Sequence, residues 1–204
     1  LLVERLKAKE IVIGYDHAFG KNREGNIDFL LNLSQQTGVE ITQIGEESIG
    51  SEIISSTLLR SEIDNGNMDK VETLLGRRYM LSGKVVNGAG RGGKKLGFPT
   101  ANIHPDNRDK IIPAGGVYAV KVILSSGEIK EGMLNIGFNP TFNGNEVSEK
   151  FIEVNIFDFE ADIYGETIKI MLVERLRDEQ KFETVEILMQ TIAQDKLRAL
   201  QILT

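Results

Sequence analysis

Cysteine is absent from the 204-residue chain, so neither a disulfide framework nor a thiolate metal site can form. Its two histidines, His17 and His104, lie far apart in the sequence and offer little for zinc. No run of about 18 apolar residues occurs, which excludes a helical membrane span and points away from a membrane partner. Internal repeats, low-complexity tracts and the Walker spacing GxxxxGK(S/T) are also missing. Tryptophan is absent, the formal net charge is −6 and the pI is near 5.1. Together these weigh against a nucleic-acid groove that tracks a phosphate backbone. A reducing cytoplasm suits this composition, and a hydrophobic content of 41% is enough for one large or two small cores.

What the chain does have is concentrated at residues 88–102, GAGRGGKKLGFPTAN. Gly88, Gly90, Gly92, Gly93 and Gly97 permit close backbone approach, so successive N–H groups can face one anion. Arg91, Lys94 and Lys95 add positive charge, and residues 84–105 contain four Lys or Arg and no Asp or Glu. In an acidic protein that local reversal suggests a polyanionic ligand smaller than a nucleic acid. Pro99 biases the chain toward an extended course, which sets Thr100 and Asn102 on one face. Their hydroxyl and amide oxygens either coordinate a hard cation such as Mg²⁺ beside phosphates or cap a strand after a glycine turn.

Upstream, residues 1–9 read as a helix end, 10–14 (EIVIG) as a buried parallel strand, and 15–25 (YDHAFGKNREG) as a polar loop. A helix over 26–38 ends at Gly38, and a strand follows at 39–44. Ser55, Ser56 and Thr57 then open an amphipathic helix, where they serve as ordinary caps or hold phosphate together with Arg60. A further helix, 68–75, stops at Gly76. Residues 1–75 carry 7 basic and 13 acidic side chains and residues 76–204 carry 17 of each. That contrast sets an expected domain boundary near 76–79.

Beyond residue 79 the hydrophobic period becomes two, as in an antiparallel barrel or sandwich. The closing stretch 182–203 reads as a helix with Phe182, Val185, Leu188, Met189, Ile192 and Leu200 on its packing face. In 151–157, Ile152, Val154 and Ile156 share one face, and Glu153 lies on the other with Phe151, Asn155 and Phe157. Glu153 is either a solvated outer-face carboxylate or a partly desolvated base with a raised pKa. The loop 135–143 and the cluster Arg175, Arg177, Asp178, Glu179 can bring further polar groups to the same mouth, or serve as turn and helix-start chemistry.

In order, SGKVVNGAGRGGKKLGFPTANI, PAGGVYAV, NIGFNPTF, IEVNIFDFEADIYG and LRDEQKF closely resemble the kinase module of the bacterial bifunctional riboflavin kinase/FMN adenylyltransferase family, the FAD synthetases. The resemblance implies an α+β multidomain fold. A partial Rossmann-like nucleotidyltransferase segment, 1–75, would precede a six-stranded antiparallel Greek-key β-barrel with a C-terminal helix, 76–204. It implies transfer of the γ-phosphate of ATP to the 5′-hydroxyl of riboflavin, giving ADP and FMN, with Mg²⁺. Gly88, Gly90, Arg91, Gly92 and Gly97 match the loop over the ATP phosphates, and Thr100 and Asn102 match the cation and phosphate positions. Glu153 matches the catalytic base, and Arg177, Glu179 and Phe182 match the flavin-side segment.

In the amino-terminal part, GYDHAFGKNREG and SSTLLR resemble the later half of an adenylyltransferase domain. Asp16, Phe19, Gly20, Arg23, Ser55, Ser56, Thr57 and Arg60 are its matching positions. Ala18 stands where that pattern usually has Arg, and no HxGH motif is present. The expectation is a fragment that lacks the upstream part of that domain and makes FMN but not FAD, whereas a longer parent would also adenylylate FMN. A cytoplasmic monomer with small-molecule substrates is expected, with weak self-association through edges left unpaired. The alternative is a flavin- or nucleotide-binding module with idle catalytic groups.

Overall fold

The computed structural model describes residues 3–15, 17–87, 98–138 and 150–204, with only the backbone described at Arg23. Packing divides the chain into two compact units, Leu1–Ile54 and Ser55–Thr204.

In the first unit, β1 (Glu10–Gly14) pairs in parallel with β2 (Glu40–Ile44), and α1 (Ile27–Thr37) connects them. Asn26 caps α1 by accepting the Phe29 N–H at 3.0 Å, and Gly38 ends it at φ 73°. A two-strand hairpin, β3 (Ser48–Ile49) and β4 (Glu52–Ile53), follows. Residues 3–6 form turns rather than the expected helix end, because Lys7 adopts a positive φ of 51° that no right-handed helix continues through. The expected burial of β1 holds at Ile13 alone; Val12 is 56% exposed. Only one strand flanks β1 among the described residues.

The second unit opens with α2 (Ser56–Asn65) and α3 (Met68–Leu75). Six antiparallel strands follow: β5 (Met80–Val86), β6 (Ala101–Pro105), β7 (Gly116–Ile123), β8 (Ile129–Phe138), β9 (Lys150–Ile156) and β10 (Thr167–Arg177). They close into a barrel of order β10-β5-β6-β9-β8-β7. β7, β8 and β9 form a meander and β6 lies beside β9, which is a Greek-key arrangement. The inner face is filled by alternating branched residues, among them Leu81, Val85, Val120, Val122, Leu134, Ile136, Val154, Ile168 and Ile170. The period-two reading therefore describes real strands whose every second side chain is core.

Two irregularities shape β10. Register shifts between Leu172 and Glu174 and between Arg175 and Arg177 insert extra residues opposite β7. Each shift reverses the phase of the alternation. Leu172 thus belongs to the barrel interior, whereas Val173 and Leu176 face a second cluster outside it. That cluster receives α4 (Val185–Leu203) through Ala199, Leu203, Ile192 and Leu200. Thr184 caps α4 by accepting the Ile187 N–H at 3.3 Å. The packing face departs from the expected one: Val185 and Met189 are 52% and 40% exposed, because the helix contacts the barrel through its second half. No helix among the described residues is long and apolar enough to cross a membrane.

Helices α2 and α3 pack with the barrel. Ile63, Met68 and Val71 are part of the barrel core, with Leu59 and Leu75 against it. In space the second unit therefore starts at Ser55, ahead of the boundary read from charge and periodicity. Gly66, which ends α2 at φ 76°, explains the close fit, since a Cβ there would lie 2.7 Å from Tyr118 Oη and 2.8 Å from Arg175 Cδ. Gly76 has a similar φ of 65° but open space around it. Gly66→Ala should therefore lower the thermal midpoint clearly more than Gly76→Ala, which carries only the conformational strain of about 1 kcal/mol. A second stability test concerns α4. Arg177 Nε donates to Asp195 Oδ2 at 2.8 Å, with side chains 21% and 11% exposed. Asp195→Ala should cost about 3 kcal/mol by stranding the guanidinium, seen as a midpoint loss on the order of 10 °C.

Candidate active site

With the branched residues turned inward, polar side chains of the same strands are left on the outer surface of the barrel. In the ladder Glu153 of β9 stands opposite Asn102 of β6 on one side and opposite Asn135 of β8 on the other. A half-buried carboxylate is thus flanked by two amides across three strands. Thr100, just before β6, donates from Oγ1 to Glu153 Oε2 at 3.4 Å. Asn155 Nδ2 donates to the Pro99 carbonyl at 2.7 Å and so fixes the approach to Thr100. Burial pushes the Glu153 carboxyl above its ordinary pKa, and the Thr100 hydroxyl opposes part of that shift.

On one side of this row lies a cleft of about 390 Å³. Its wall is formed by Thr100 and Ala101, the inward-facing Val85, Val154 and Ile156, and the segment 159–164, so it meets the row at Thr100 and not at Glu153 itself. That segment, FEADIY, was visible in the sequence only as part of a longer motif. Its residues meet Thr100 through the β9–β10 connection, which no local pattern announces. Asp162 Oδ1 accepts the Tyr164 N–H at 3.0 Å and shapes the turn.

In the other direction, the next pair of that ladder on the same face is Gly137 and Phe151. A Cβ on Gly137 would lie 2.6 Å from Glu179 Oε1 and would also strike the Phe151 ring. Glu179 is therefore brought to the face that carries Glu153. Arg177 is engaged elsewhere: Nε binds Asp195, Nη1 donates to the Asp178 carbonyl at 3.0 Å, and Phe182 lies 5.6 Å below the guanidinium.

Among the other sequence-derived positions, Gly88, Gly90, Arg91, Gly92 and Gly97 lie outside the described residues, as do Asp16 and most of the 135–143 loop. Phe19 stacks on His17 at 6.0 Å and its backbone bridges to Gly25, closing the loop that holds Gly20 at φ 78°. Arg23 ends a single turn of 3-10 helix. Ser55 Oγ accepts the Leu58 N–H at 3.1 Å, which is ordinary capping, and Ser56, Thr57 and Arg60 are exposed around it. These positions fall in both compact units, Phe19, Gly20 and Arg23 in the first and Ser55, Ser56, Thr57 and Arg60 in the second.

The donors around Glu153 are all oxygens, from a hydroxyl, amides and a carboxylate. That set suits a hard cation that takes further ligands from phosphate. No cluster of three or more His, Cys, Asp or Glu that could hold a metal by itself occurs among the described residues.

The riboflavin kinase (flavokinase) family matches residues 75–203, and the FAD synthetase family matches residues 1–58. The bifunctional riboflavin kinase/FMN adenylyltransferase of Haemophilus influenzae is 37% identical over 95% of this chain and 61% of its own length. That of Bacillus subtilis is 36% identical over 96% and 61%. This chain thus spans about three fifths of the curated relatives it matches. A crystal structure described as a macrolide-efflux protein from Streptococcus pneumoniae superimposes with a TM-score of 0.80 at 36% identity, over 94% of this chain and 60% of that one. With a family match over more than half its residues and a closed Greek-key barrel within that span, the chain belongs to the riboflavin kinase family.

Proposed function

We propose that this chain is an ATP:riboflavin 5′-phosphotransferase that makes FMN and ADP, with residues 76–204 as the catalytic module and 55–75 as a helix pair docked on it. The observation that carries the reading is Glu153, a half-buried carboxylate with a raised pKa, set in register between Asn102 and Asn135 and hydrogen-bonded to Thr100. Oxygen donors and a poised base are what phosphoryl transfer asks of a protein, because most of the catalysis is positioning and charge neutralisation.

In this reading the nucleoside end of ATP occupies the cleft between Thr100 and the segment 159–164, and the glycine loop, with Gly88, Gly90, Arg91, Gly92 and Gly97, covers the phosphates. Thr100 and Asn102 hold Mg²⁺, which when bound offsets phosphate charge. Riboflavin lies on the Phe151 and Glu179 side, so its 5′-hydroxyl reaches Glu153 from the direction opposite the nucleotide. Glu153 accepts the hydroxyl proton while the 5′-oxygen bonds to the γ-phosphorus and the bond to the ADP oxygen breaks. Arg177 and Phe182 serve by holding the 177–182 segment against α4. The proposed setting is a cytoplasmic monomer acting on small molecules. These 204 residues contain no HxGH motif, so FMN without FAD is the expected product.

Incubation with riboflavin, ATP and Mg²⁺, followed by chromatographic separation of riboflavin, FMN and FAD, tests the reading directly. FMN is expected. Riboflavin and ATP bound without FMN would instead favour an idle binding module.

Two further outcomes follow from Glu153. Glu153→Gln should lower kcat by about 10² to 10⁴ while ATP affinity is retained. Because the charged form is the acceptor and its pKa is raised in the free protein, the acid limb of the wild-type kcat/KM profile should lie above the ordinary glutamate range. The same shift has a stability consequence with the opposite sense. The folded-state pKa exceeds the unfolded one, so the stability contribution is full below the unfolded pKa and is lost as pH rises through the folded pKa. At neutral pH Glu153→Gln should therefore melt no lower than wild type, and any gain should vanish in acid. A lower midpoint at neutral pH would contradict the desolvation account.

A further inference from the structure

The connection from β6 to β7 is held in an unusual way. Residues 111–115 form no strand, yet all five of their carbonyls accept a side-chain hydrogen bond. Tyr79 Oη donates to Ile111 at 2.8 Å, Lys150 Nζ to Ile112 and Pro113 at 2.7 and 2.9 Å, and Tyr118 Oη to Ala114 at 2.6 Å. Arg175 Nη2 donates to Gly115. A strap whose carbonyls are satisfied by several different strands takes its shape from the barrel rather than from its own backbone.

Arg175 differs from the other donors. Its guanidinium also pairs with Asp178 Oδ1 at 2.7 Å, in the segment that carries Glu179. Its Nε is buried with no hydrogen-bond partner among the described residues. Burying a donor unpaired is unfavourable, so this guanidinium is oriented by Gly115 and Asp178 and not by its own complete satisfaction. The bulge between Arg175 and Arg177 makes the arrangement possible. Residues two apart in a regular strand share a face, but here Arg175 turns to Tyr118 and the barrel end while Arg177 turns to Asp195 of α4.

Both elements that Arg175 joins converge on one place. A Cβ on Gly115 would lie 3.2 Å from the Phe138 ring and 3.7 Å from Glu179 Oε2, and a Cβ on Gly116 would lie 2.9 Å from Arg175 Nε. We infer that Arg175 is a positioning residue for the phosphoryl acceptor. By holding Gly115 and Asp178 together it keeps the Glu179 carboxylate over Gly137 and beside Phe151, and so sets affinity for a planar flavin without touching it. This rests on the kinase reading above.

The test is steady-state kinetics of the 204-residue chain with riboflavin and ATP varied separately. Arg175→Ala should raise the riboflavin KM about tenfold and leave kcat and the ATP KM within about twofold. Arg175→Lys should recover most of the loss, since an ammonium can still reach one of the two partners. Equal changes in both KM values, a fall in kcat alone, or Lys no better than Ala would overturn the inference. Should Arg175→Ala show no cooperative melting, Asp178→Ala, which removes the exposed partner of the same contact, carries the test, and an unchanged riboflavin KM in it overturns the inference. If wild type makes no FMN, the kinase reading fails separately. Quenching of flavin fluorescence then measures riboflavin binding, with about tenfold weakening in Arg175→Ala expected and equal affinity counting against the positioning role.

Discussion

Closure of the barrel is the constraint on which the rest depends. β10 pairs with β5 on one side and β7 on the other, which joins the first strand of the meander back to the opening strand. Once closed, the sheet has no free edge and one inner face. The inner face is taken up by Leu, Ile and Val. Chemistry can then be placed only on the outer face or at the barrel ends. Asn102, Glu153 and Asn135 form their row on that outer face because the antiparallel register puts them opposite one another.

The outer face would ordinarily be well solvated, and a carboxylate there would titrate like a free one. Glu153 departs from this because neighbouring groups remove much of its water: the Thr100 approach pinned by Asn155, and Phe151 on the same face. Desolvation of the charged form is therefore a product of two segments far apart in sequence, the approach to β6 and β9. The same crowding leaves Gly137 without space for a side chain, which lets Phe151 and Glu179 close against the strand.

The elements outside the barrel are tied to it at the irregular points of β10. The shift between Leu172 and Glu174 gives α4 its apolar landing, and Arg198 of α4 donates to the Leu176 carbonyl at 2.8 Å and to Glu174 Oε1 at 2.9 Å. On the barrel end, Tyr118 and Arg175 press against Gly66 between α2 and α3. Side-chain donors replace ladder hydrogen bonds along residues 111–115, where the chain leaves the sheet between β6 and β7, and burial holds the hydroxyls that do this in their protonated form. Tyr79 and Tyr118 are each pushed up to about 12.

The sequence by itself determined the local elements. Period-two alternation marked the strands, Asn26, Ser55 and the glycines at 38 and 76 marked helix ends, and the order of motifs led to the barrel and to Glu153, Thr100 and Asn102. These are short-range properties, in which one residue constrains its near neighbours. Only the tertiary structure decided that α2 and α3 pack with the barrel, that α4 docks through its second half, and that Arg175 and Arg177 point to different partners. It also decided that the segment 159–164 faces Thr100 and that Glu179 lies over Gly137. Each of these depends on strand register, a bulge or a close approach of backbones. Such features arise from pairings distant in the chain, so no window of sequence contains them.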